Sequence, residues 1–102
     1  MSKLRRPENT ELWDKHYGGK SWFFKCPGCK EDHVIIEGKW QFNGDINSPT
    51  FSPSLLVQGT SKDNPDYFRC HSFIRNGMIQ FLSDCTHELK GQTVTLLDIS
   101  NV

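Results

Sequence analysis

The dipeptide Asn76-Gly77 restricts the fold of this chain more than any other feature, because it joins the alternating segments YFRCHSFIR and MIQFL. Asn-Gly is the preferred pair for a two-residue type I′ turn, so the sequence predicts a β-hairpin in which Arg75 faces Met78. The same register, continued along both strands, brings Ser72 opposite Phe81. Since successive residues of a strand point to opposite faces, this register also decides which hairpin side chains lie together.

The rest of the chain also has strand patterns. The segments SWFFK, HVIIE, KWQF and TVTLLDI are rich in β-branched and aromatic residues, and turn residues separate them. Pro49 and Pro53 precede a predicted strand over residues 54–58, which indicates an edge or loop crossing before it. A short helix is expected up to Tyr17, where Gly18 ends it. The expected fold class is mostly β: a small antiparallel β-sheet domain with a short N-terminal helix.

A length of 102 residues predicts one domain. We expect residues 1–8 to form a flexible N-terminus and residues 9–102 to form a single zinc-stabilised β domain. Twelve basic and twelve acidic residues cancel, whereas binding through many phosphate contacts normally requires a basic excess. No apolar run resembles a signal peptide or a membrane helix. We therefore expect a cytoplasmic protein that binds no membrane, and nucleic-acid binding is disfavoured.

The four cysteines form the second informative pattern. Cys26 and Cys29 lie in a CPGC turn, whose spacing lets two thiolates hold one ion. The hairpin register makes Cys85 the diagonal neighbour of Cys70 on one face of the sheet. Converging thiolates are typical of a tetrahedral structural site, and soft sulfur ligands favour Zn²⁺ over Mg²⁺ or Ca²⁺, with iron as the main rival. The sequence therefore predicts a zinc knuckle with one Zn²⁺ per chain, held by Cys26, Cys29, Cys70 and Cys85.

Other ligand sets and other uses of the cysteines stay open. His71 and His87 lie close to the later cysteines, and both are alternative ligands. His33 is a third. A redox CxxC motif normally begins a helix of an α/β unit, which the strand-rich flanks disfavour, and four unliganded buried cysteines are a further alternative. A Cys70 nucleophile activated by His71 is disfavoured because adjacent strand residues point apart.

The opposite face of the hairpin carries a different pair of side chains. The register places His71 on that face, diagonal to Asp84. A histidine beside a carboxylate suits proton transfer or a second metal ion, with His33 and His87 completing the site. The alternative, which we favour, is an ordinary polar pair on a half-exposed sheet. The chain has no HExxH helix, no Gly-rich phosphate loop and no G-x-S-x-G elbow.

Four segments, CPGC, INSPTFSPSLLV, CHSFIRNGMIQFL and DCTHELKGQTVTL, together resemble a family of small proteins encoded by bacteriophages and prophages, over about residues 22–98. Members of that family often carry the label ammonia monooxygenase, which a short chain without membrane spans does not fit. More distant relatives resemble zinc-binding modules, some of them encoded beside bacterial ubiquitin-like conjugation genes. Their Cys-rich turn precedes a Ser-His-Phe strand, and Cys26, Cys29 and His71 match that motif. Here His71 directly follows Cys70, which departs from the wider pattern.

These observations lead to one leading hypothesis and two alternatives. The resemblance implies a phage-encoded accessory zinc-binding module that binds an unidentified host or phage protein in the host bacterial cytoplasm, and we assign it no catalytic residue. A closed four-thiolate site leaves no coordination position for a substrate, which argues against metal catalysis. The first alternative is a small metal-dependent hydrolase that uses His71, His87 and Asp84. The second is a nucleic-acid-binding zinc module.

Overall fold

The computed structural model describes residues 2–60 and 68–99. Within these residues the elements are α1 (Thr10–Tyr17), β1 (Ser21–Lys25), β2 (Asp32–Ile36), β3 (Gln41–Phe42), β4 (Phe51–Gly59), β5 (Phe68–Arg75), β6 (Met78–Phe81) and β7 (Thr93–Thr95). Every pairing between these described strands is antiparallel. The predicted fold class, mostly β with antiparallel sheets and a short N-terminal helix, is confirmed.

The strands form two sheets. β1 pairs with β2, and the second sheet has the order β3-β4-β5-β6-β7. The β5–β6 hairpin has the predicted register, with Arg75 opposite Met78. Asn76 and Gly77 have positive φ angles of 51° and 77°, as a type I′ turn requires. The predicted hairpin is therefore confirmed, except that Tyr67, at the start of its first strand, lies outside the described residues.

The core consists of apolar side chains from both sheets. Phe24 of β1 and Ile35 of β2 are buried, as are Ile74 of β5 and Phe81 of β6. The core also includes three cysteines, Cys26, Cys70 and Cys85. Burial alternates along β5 and β6, so one face of the five-stranded sheet turns to this core and the other towards solvent.

An irregularity in β4 affects the exposed face. Phe51 lies opposite Ile74 and Leu55 lies opposite Ser72, so the three residues between Phe51 and Leu55 face a single residue of β5. Pro53 lies in this bulge, where a strand tolerates the loss of a backbone N–H. The strand begins before the residues predicted for it, because β3 pairs with the first two residues of β4. A bulge bends a strand and redirects its side chains.

The segment before α1 packs against the sheets over its described residues, and the expected flexibility of residues 1–8 stays a prediction. Leu4 is buried in the core. Arg5 exchanges two backbone hydrogen bonds with Phe23 of β1, both 2.9 Å long. Burial of the apolar Leu4 side chain is the physical reason, because it offsets the entropy lost when the neighbouring residues become ordered.

Candidate active site and metal centre

Ser54 and His71 lie side by side on the exposed face of the five-stranded sheet. Ser54 Oγ is 3.1 Å from His71 Nε2. His71 lies opposite Leu56 in the β4–β5 ladder, and Ser54, two residues earlier, is on the same face. A serine hydroxyl at hydrogen-bonding distance from an imidazole nitrogen is the arrangement of an activated nucleophile.

Asp84 lies on the other side of the imidazole ring. Asp84 Oδ2 is 3.2 Å from His71 Nδ1. The backbone N–H of Leu82 donates to His71 O at 2.9 Å, which continues the hairpin ladder beyond β6, and Asp84 follows in the next turn. The diagonal relation of His71 and Asp84 that the register implied is thus present. With a proton on Nδ1, directed at the carboxylate, Nε2 is the nitrogen that accepts a proton from Ser54.

The negative charge of Asp84 is stabilised by its neighbours. Arg69 Nε lies 2.7 Å from the same carboxylate oxygen that contacts His71. Burial would raise the pKa of Asp84, but hydrogen bonds from His71, from the backbone and from Arg69 together lower that pKa below 3.8. Asp84 is therefore a carboxylate at neutral pH. The His71 and Asp84 side chains are 24% and 40% exposed, so a substrate can reach them from solvent.

Ser54 is the residue that the sequence analysis missed. Its contact with His71 joins residues 17 positions apart, across a β4–β5 connection that is too long for a hairpin rule to define. No local motif such as G-x-S-x-G marks it. The available signal was the close spacing of prolines in SPTFSPS, which indicates a stiff, irregular strand at the surface.

A cysteine cluster lies on the core face of β5, where it meets β2 and the CPGC turn. The metal-ligand atoms of Cys26, Cys29, His33 and Cys70 all lie within 4.8 Å of one another. In the CPGC turn after β1, the Cys29 N–H donates to Cys26 Sγ at 3.4 Å. Cys70 Sγ of β5 lies 3.8 Å from Cys26 Sγ. Two sulfurs bound at about 2.3 Å to a tetrahedral zinc ion are separated by about 3.8 Å, so the observed distance fits such a site.

The chemistry of this cluster also fits a cation. Hydrogen bonds from Cys29 and Cys70 hold the pKa of Cys26 well below its ordinary value, while the contact with Cys26 raises the pKa of Cys29 to about 12. One thiolate thus prevents its neighbours from ionising unless a positive charge lies among them. His33 Nε2 is buried and has no hydrogen-bond partner among the described residues. A metal ion would satisfy this nitrogen and neutralise the thiolates, so the four residues can hold one.

Cys85 and His87 form a second group with Cys70. The metal-ligand atoms of these three residues also lie within 4.8 Å of one another. Cys85 Sγ, predicted as a zinc ligand, lies 3.2 Å from both the backbone nitrogen and the carbonyl oxygen of His71. His87 Nε2 is 3.5 Å from Cys70 Sγ. The His87 ring occupies the space that a Cβ atom on Gly28 would need, so the glycine of the CPGC turn makes room for this histidine.

His87 does not join His71 and Asp84. It lies on the cysteine side of β5, and no group of metal-ligand atoms found in the described part of the chain contains His71 or Asp84. Alternation along the strand is the reason, because His71 and Cys70 point to opposite faces. The geometry therefore gives no support to a metal-dependent hydrolase built from His71, His87 and Asp84.

A half-buried serine and histidine and an exposed aspartate, linked by hydrogen-bonding contacts on a β-sheet, define a candidate serine hydrolase. The chain belongs to the family described as the bacterial ubiquitination-like system serine protease (BubE), which matches residues 2–82. No curated protein and no solved structure is significantly similar to the chain. In the described residues, no helix has the length and apolar character needed to cross a membrane.

Membership of this family corrects the leading hypothesis. The expectation of a phage-encoded accessory zinc-binding module is wrong, because the family is described as a serine protease of a bacterial system. That description mentions neither phage nor zinc, and it gives no support to a nucleic-acid module. The cysteines, which dominated the sequence-based hypothesis, lie on the face opposite the Ser54–His71–Asp84 group. The protein partner and the cytoplasmic location stay predictions.

Proposed function

We propose that this protein is a serine protease in which Ser54 is the nucleophile, His71 the general base and Asp84 the residue that orients the imidazole. The observation that carries the proposal is the chain of contacts from Ser54 Oγ to His71 Nε2, at 3.1 Å, and from His71 Nδ1 to Asp84 Oδ2, at 3.2 Å. Such contacts are often loose before substrate binds. The description of the family as a serine protease agrees with this chemistry.

Each of the three side chains has a defined part in peptide hydrolysis. Ser54 Oγ attacks the scissile carbonyl carbon while His71 Nε2 takes the hydroxyl proton. The imidazolium gives this proton to the leaving amine as the carbon–nitrogen bond breaks, which leaves an acyl ester on Ser54. Water, activated by the same nitrogen, then hydrolyses the ester and restores the serine hydroxyl. Asp84 stays ionised and stabilises the positive charge on the imidazole.

The three residues occur along the chain in the order serine, histidine, aspartate. Chymotrypsin, subtilisin and the α/β-hydrolases have the same three roles in three other orders. A triad is recognised by the geometry and roles of its members rather than by their order, so this arrangement is compatible with the assignment.

Covalent labelling tests the assignment without knowledge of the substrate. A fluorophosphonate probe reacts readily with a serine hydroxyl that a neighbouring base activates. We expect one adduct per chain, located on Ser54 by mass spectrometry, and no adduct on Ser54→Ala. Ser52→Ala is the matched control, because Ser52 lies in the same strand and is exposed. A folded wild-type protein without an adduct, or equal labelling of Ser54→Ala, would refute the proposal.

The family description supports a narrower proposal about the substrate. It refers to a bacterial ubiquitination-like system, and we propose that the substrate is a protein component of that system. Protein N-termini can be compared between cells that express the wild type and cells that express Ser54→Ala. We expect new N-termini in components of the system only with the wild type. New N-termini confined to unrelated proteins would contradict this part of the proposal.

We further propose that Cys26, Cys29, Cys70 and His33 hold one Zn²⁺ per chain. Three thiolates and an imidazole favour zinc over Mg²⁺ or Ca²⁺. The buried His33 Nε2 without a partner among the described residues and the 3.8 Å sulfur separation support this set. His33 takes the place expected for Cys85, because Cys85 Sγ already contacts the β5 backbone. A bound zinc would join the two sheets, since its ligands come from both of them.

Metal content tests this second proposal independently of activity. We expect native mass spectrometry and elemental analysis to give one zinc per chain, and chelation to remove the zinc together with the fold. Cys26→Ser should bind no zinc, whereas the matched Cys85→Ser variant should keep it. If Cys85→Ser lost its zinc while His33→Ala kept it, the proposed ligand set would be overturned, and the four cysteines would be the ligands.

A further inference from the structure

Among the strands that the structure describes, the edge of the five-stranded sheet next to Ser54 is open. β3 covers only the first two residues of β4. Beyond Ser54, no strand within residues 2–60 and 68–99 pairs with this side of β4. An unpaired strand edge presents backbone donors and acceptors that another extended chain can satisfy.

The alternation of hydrogen bonds identifies the residue that presents its backbone at this edge. His71 O accepts a hydrogen bond from Leu82 N at 2.9 Å, so the backbone groups of His71 point towards β6. The β5 residues on either side of His71 therefore bond to β4, where their partners are Leu55 and Val57. Leu56 lies between these partners. Its N–H and C=O consequently point out of the open edge.

In the described part of the chain, β2 also has an edge that pairs with no strand, and it lies across a groove from the edge of β4. In β1, Phe23 exchanges its two backbone hydrogen bonds with Arg5 rather than with β2, both at 2.9 Å. The ladder partner of Phe23 is Val34, so the N–H and C=O of Val34 point away from β1. A groove of about 430 Å³ lies between the two edges, and its lining includes Val34 of β2 and Leu56 of β4.

The groove lies next to the proposed nucleophile. Trp40 lines the groove, and its indole Nε1 donates to Ser54 O at 3.4 Å. The Leu56 side chain is 42% exposed, and it shares the face of the sheet that carries Ser54 and His71. A peptide that runs along β4 from Leu56 towards Ser54 therefore brings a main-chain carbonyl group to the serine.

We propose that this groove binds the substrate as an added β-strand, inserted between β2 and β4 and leading to Ser54. The main-chain groups of Leu56 bind it on one side and those of Val34 on the other. The substrate is therefore an extended, flexible protein segment, such as a chain terminus or an unstructured linker, and not a helix or a tight loop. The exposed Leu56 side chain adds a preference for an apolar residue near the cleaved bond. This inference rests on the proposed protease function and deepens it, because it names the form of the substrate.

Proline at position 56 tests the main-chain contact. Leu56→Pro removes an N–H that points out of the sheet, and edge strands tolerate proline at such positions. Leu56→Ala is the matched control, because it removes the side chain but keeps the N–H. The substrate probe is a mixture of unstructured peptides from a digested bacterial proteome, and mass spectrometry identifies the cleaved peptides.

We expect Leu56→Pro to lower kcat/KM for the best-cleaved peptide about tenfold, because a main-chain hydrogen bond is lost and an acceptor on the peptide is left unpaired. Leu56→Ala should lower kcat/KM by a smaller factor. Peptides in which one amide at a time is N-methylated, along consecutive positions, should each be cleaved more slowly by the wild-type protein. The reason is that a strand bonded on both sides donates alternately to β2 and to β4.

Equal kcat/KM values for Leu56→Pro and Leu56→Ala would overturn the proposal, as would a peptide that tolerates N-methylation. If N-methylation slowed cleavage only at every second amide, the peptide would be bonded on one side only. That result would overturn the proposed insertion between two edges. Should Leu56→Pro fail to fold, as judged by thermal unfolding, the N-methylated peptides decide the question with the wild type. Fluorophosphonate labelling of the same samples separates the two proposals. An unlabelled wild type refutes the protease itself, whereas a labelled wild type that cleaves no peptide overturns only the added strand.

Discussion

Substitution of Asp84 by asparagine distinguishes a catalytic His71–Asp84 pair from an ordinary polar contact. Asp84 Oδ2 is 3.2 Å from His71 Nδ1 and 2.7 Å from Arg69 Nε. An asparagine at this position presents an NH₂ group to His71, which favours the wrong imidazole tautomer and removes the charge that stabilises the imidazolium. We expect Asp84→Asn to lower the rate of Ser54 labelling by a fluorophosphonate about 10³- to 10⁴-fold.

The stability of the fold should change little in the same variant. The Arg69 and Asp84 side chains are 32% and 40% exposed, and exposed ion pairs contribute little to the free energy of unfolding. A large fall in labelling rate without a comparable fall in Tm therefore identifies a catalytic role. Arg69→Gln is the matched control, because it removes the ion pair and leaves the His71–Asp84 contact. We expect its labelling rate to stay within about tenfold of the wild-type rate.

The assay follows adduct formation on the intact protein by mass spectrometry, with thermal unfolding measured on the same preparations at neutral pH. An Asp84→Asn variant that labels within tenfold of the wild type would refute the triad, and the pair would then be an ordinary polar contact. An equally large fall in the labelling rate of Arg69→Gln would assign the effect to local charge rather than to orientation of the imidazole.

Two further predictions concern stability. Ile79 is fully buried, so Ile79→Ala should lower the free energy of unfolding in urea by about 2–5 kcal/mol. Gln80 is exposed, so the control Gln80→Ala should change this free energy by about 0.5 kcal/mol or less. Equal effects of the two substitutions would contradict the described core. Hydrogen bonds from Arg6 and from the Ser21 backbone lower the pKa of Asp14 from 3.8 to about 2. Because the folded state has the lower pKa, the ionised carboxylate stabilises the fold above pH 3.8, and this contribution is lost as the pH falls towards 2. The Tm of Asp14→Asn should therefore lie below the wild-type Tm at neutral pH and approach the wild-type Tm near pH 2. A Tm difference that does not depend on pH would contradict this explanation.

Much of the hairpin was predictable residue by residue. The Asn76-Gly77 turn is local, and a two-residue loop allows one register for the strands that it joins. That register correctly places Cys70 on the buried face and His71 on the exposed face, beside Asp84. The function drawn from this arrangement was wrong, because the cysteine pattern was weighed more heavily than the pair on the exposed face.

The residues of other strands that contact the hairpin were not predictable in the same way. Ser54 reaches His71 through the β4–β5 ladder, whose register changes at the bulge around Pro53. No turn motif defines that register, and proline had indicated a loop or an edge rather than a paired strand. His33 was only one of three alternative metal ligands, because β2 belongs to the other sheet and no sequence rule sets the packing of one sheet on another.

The sequence by itself determined the mostly β fold, the CPGC turn and the hairpin that separates Cys70 from His71. These features depend on alternation and on turns, which act between residues close in the chain. Only the tertiary structure decided that Ser54 lies beside His71 and that His33 lies beside Cys26 and Cys70. These contacts join strands that are distant in the chain or lie in different sheets, and their alignment depends on how both sheets bury their apolar faces together.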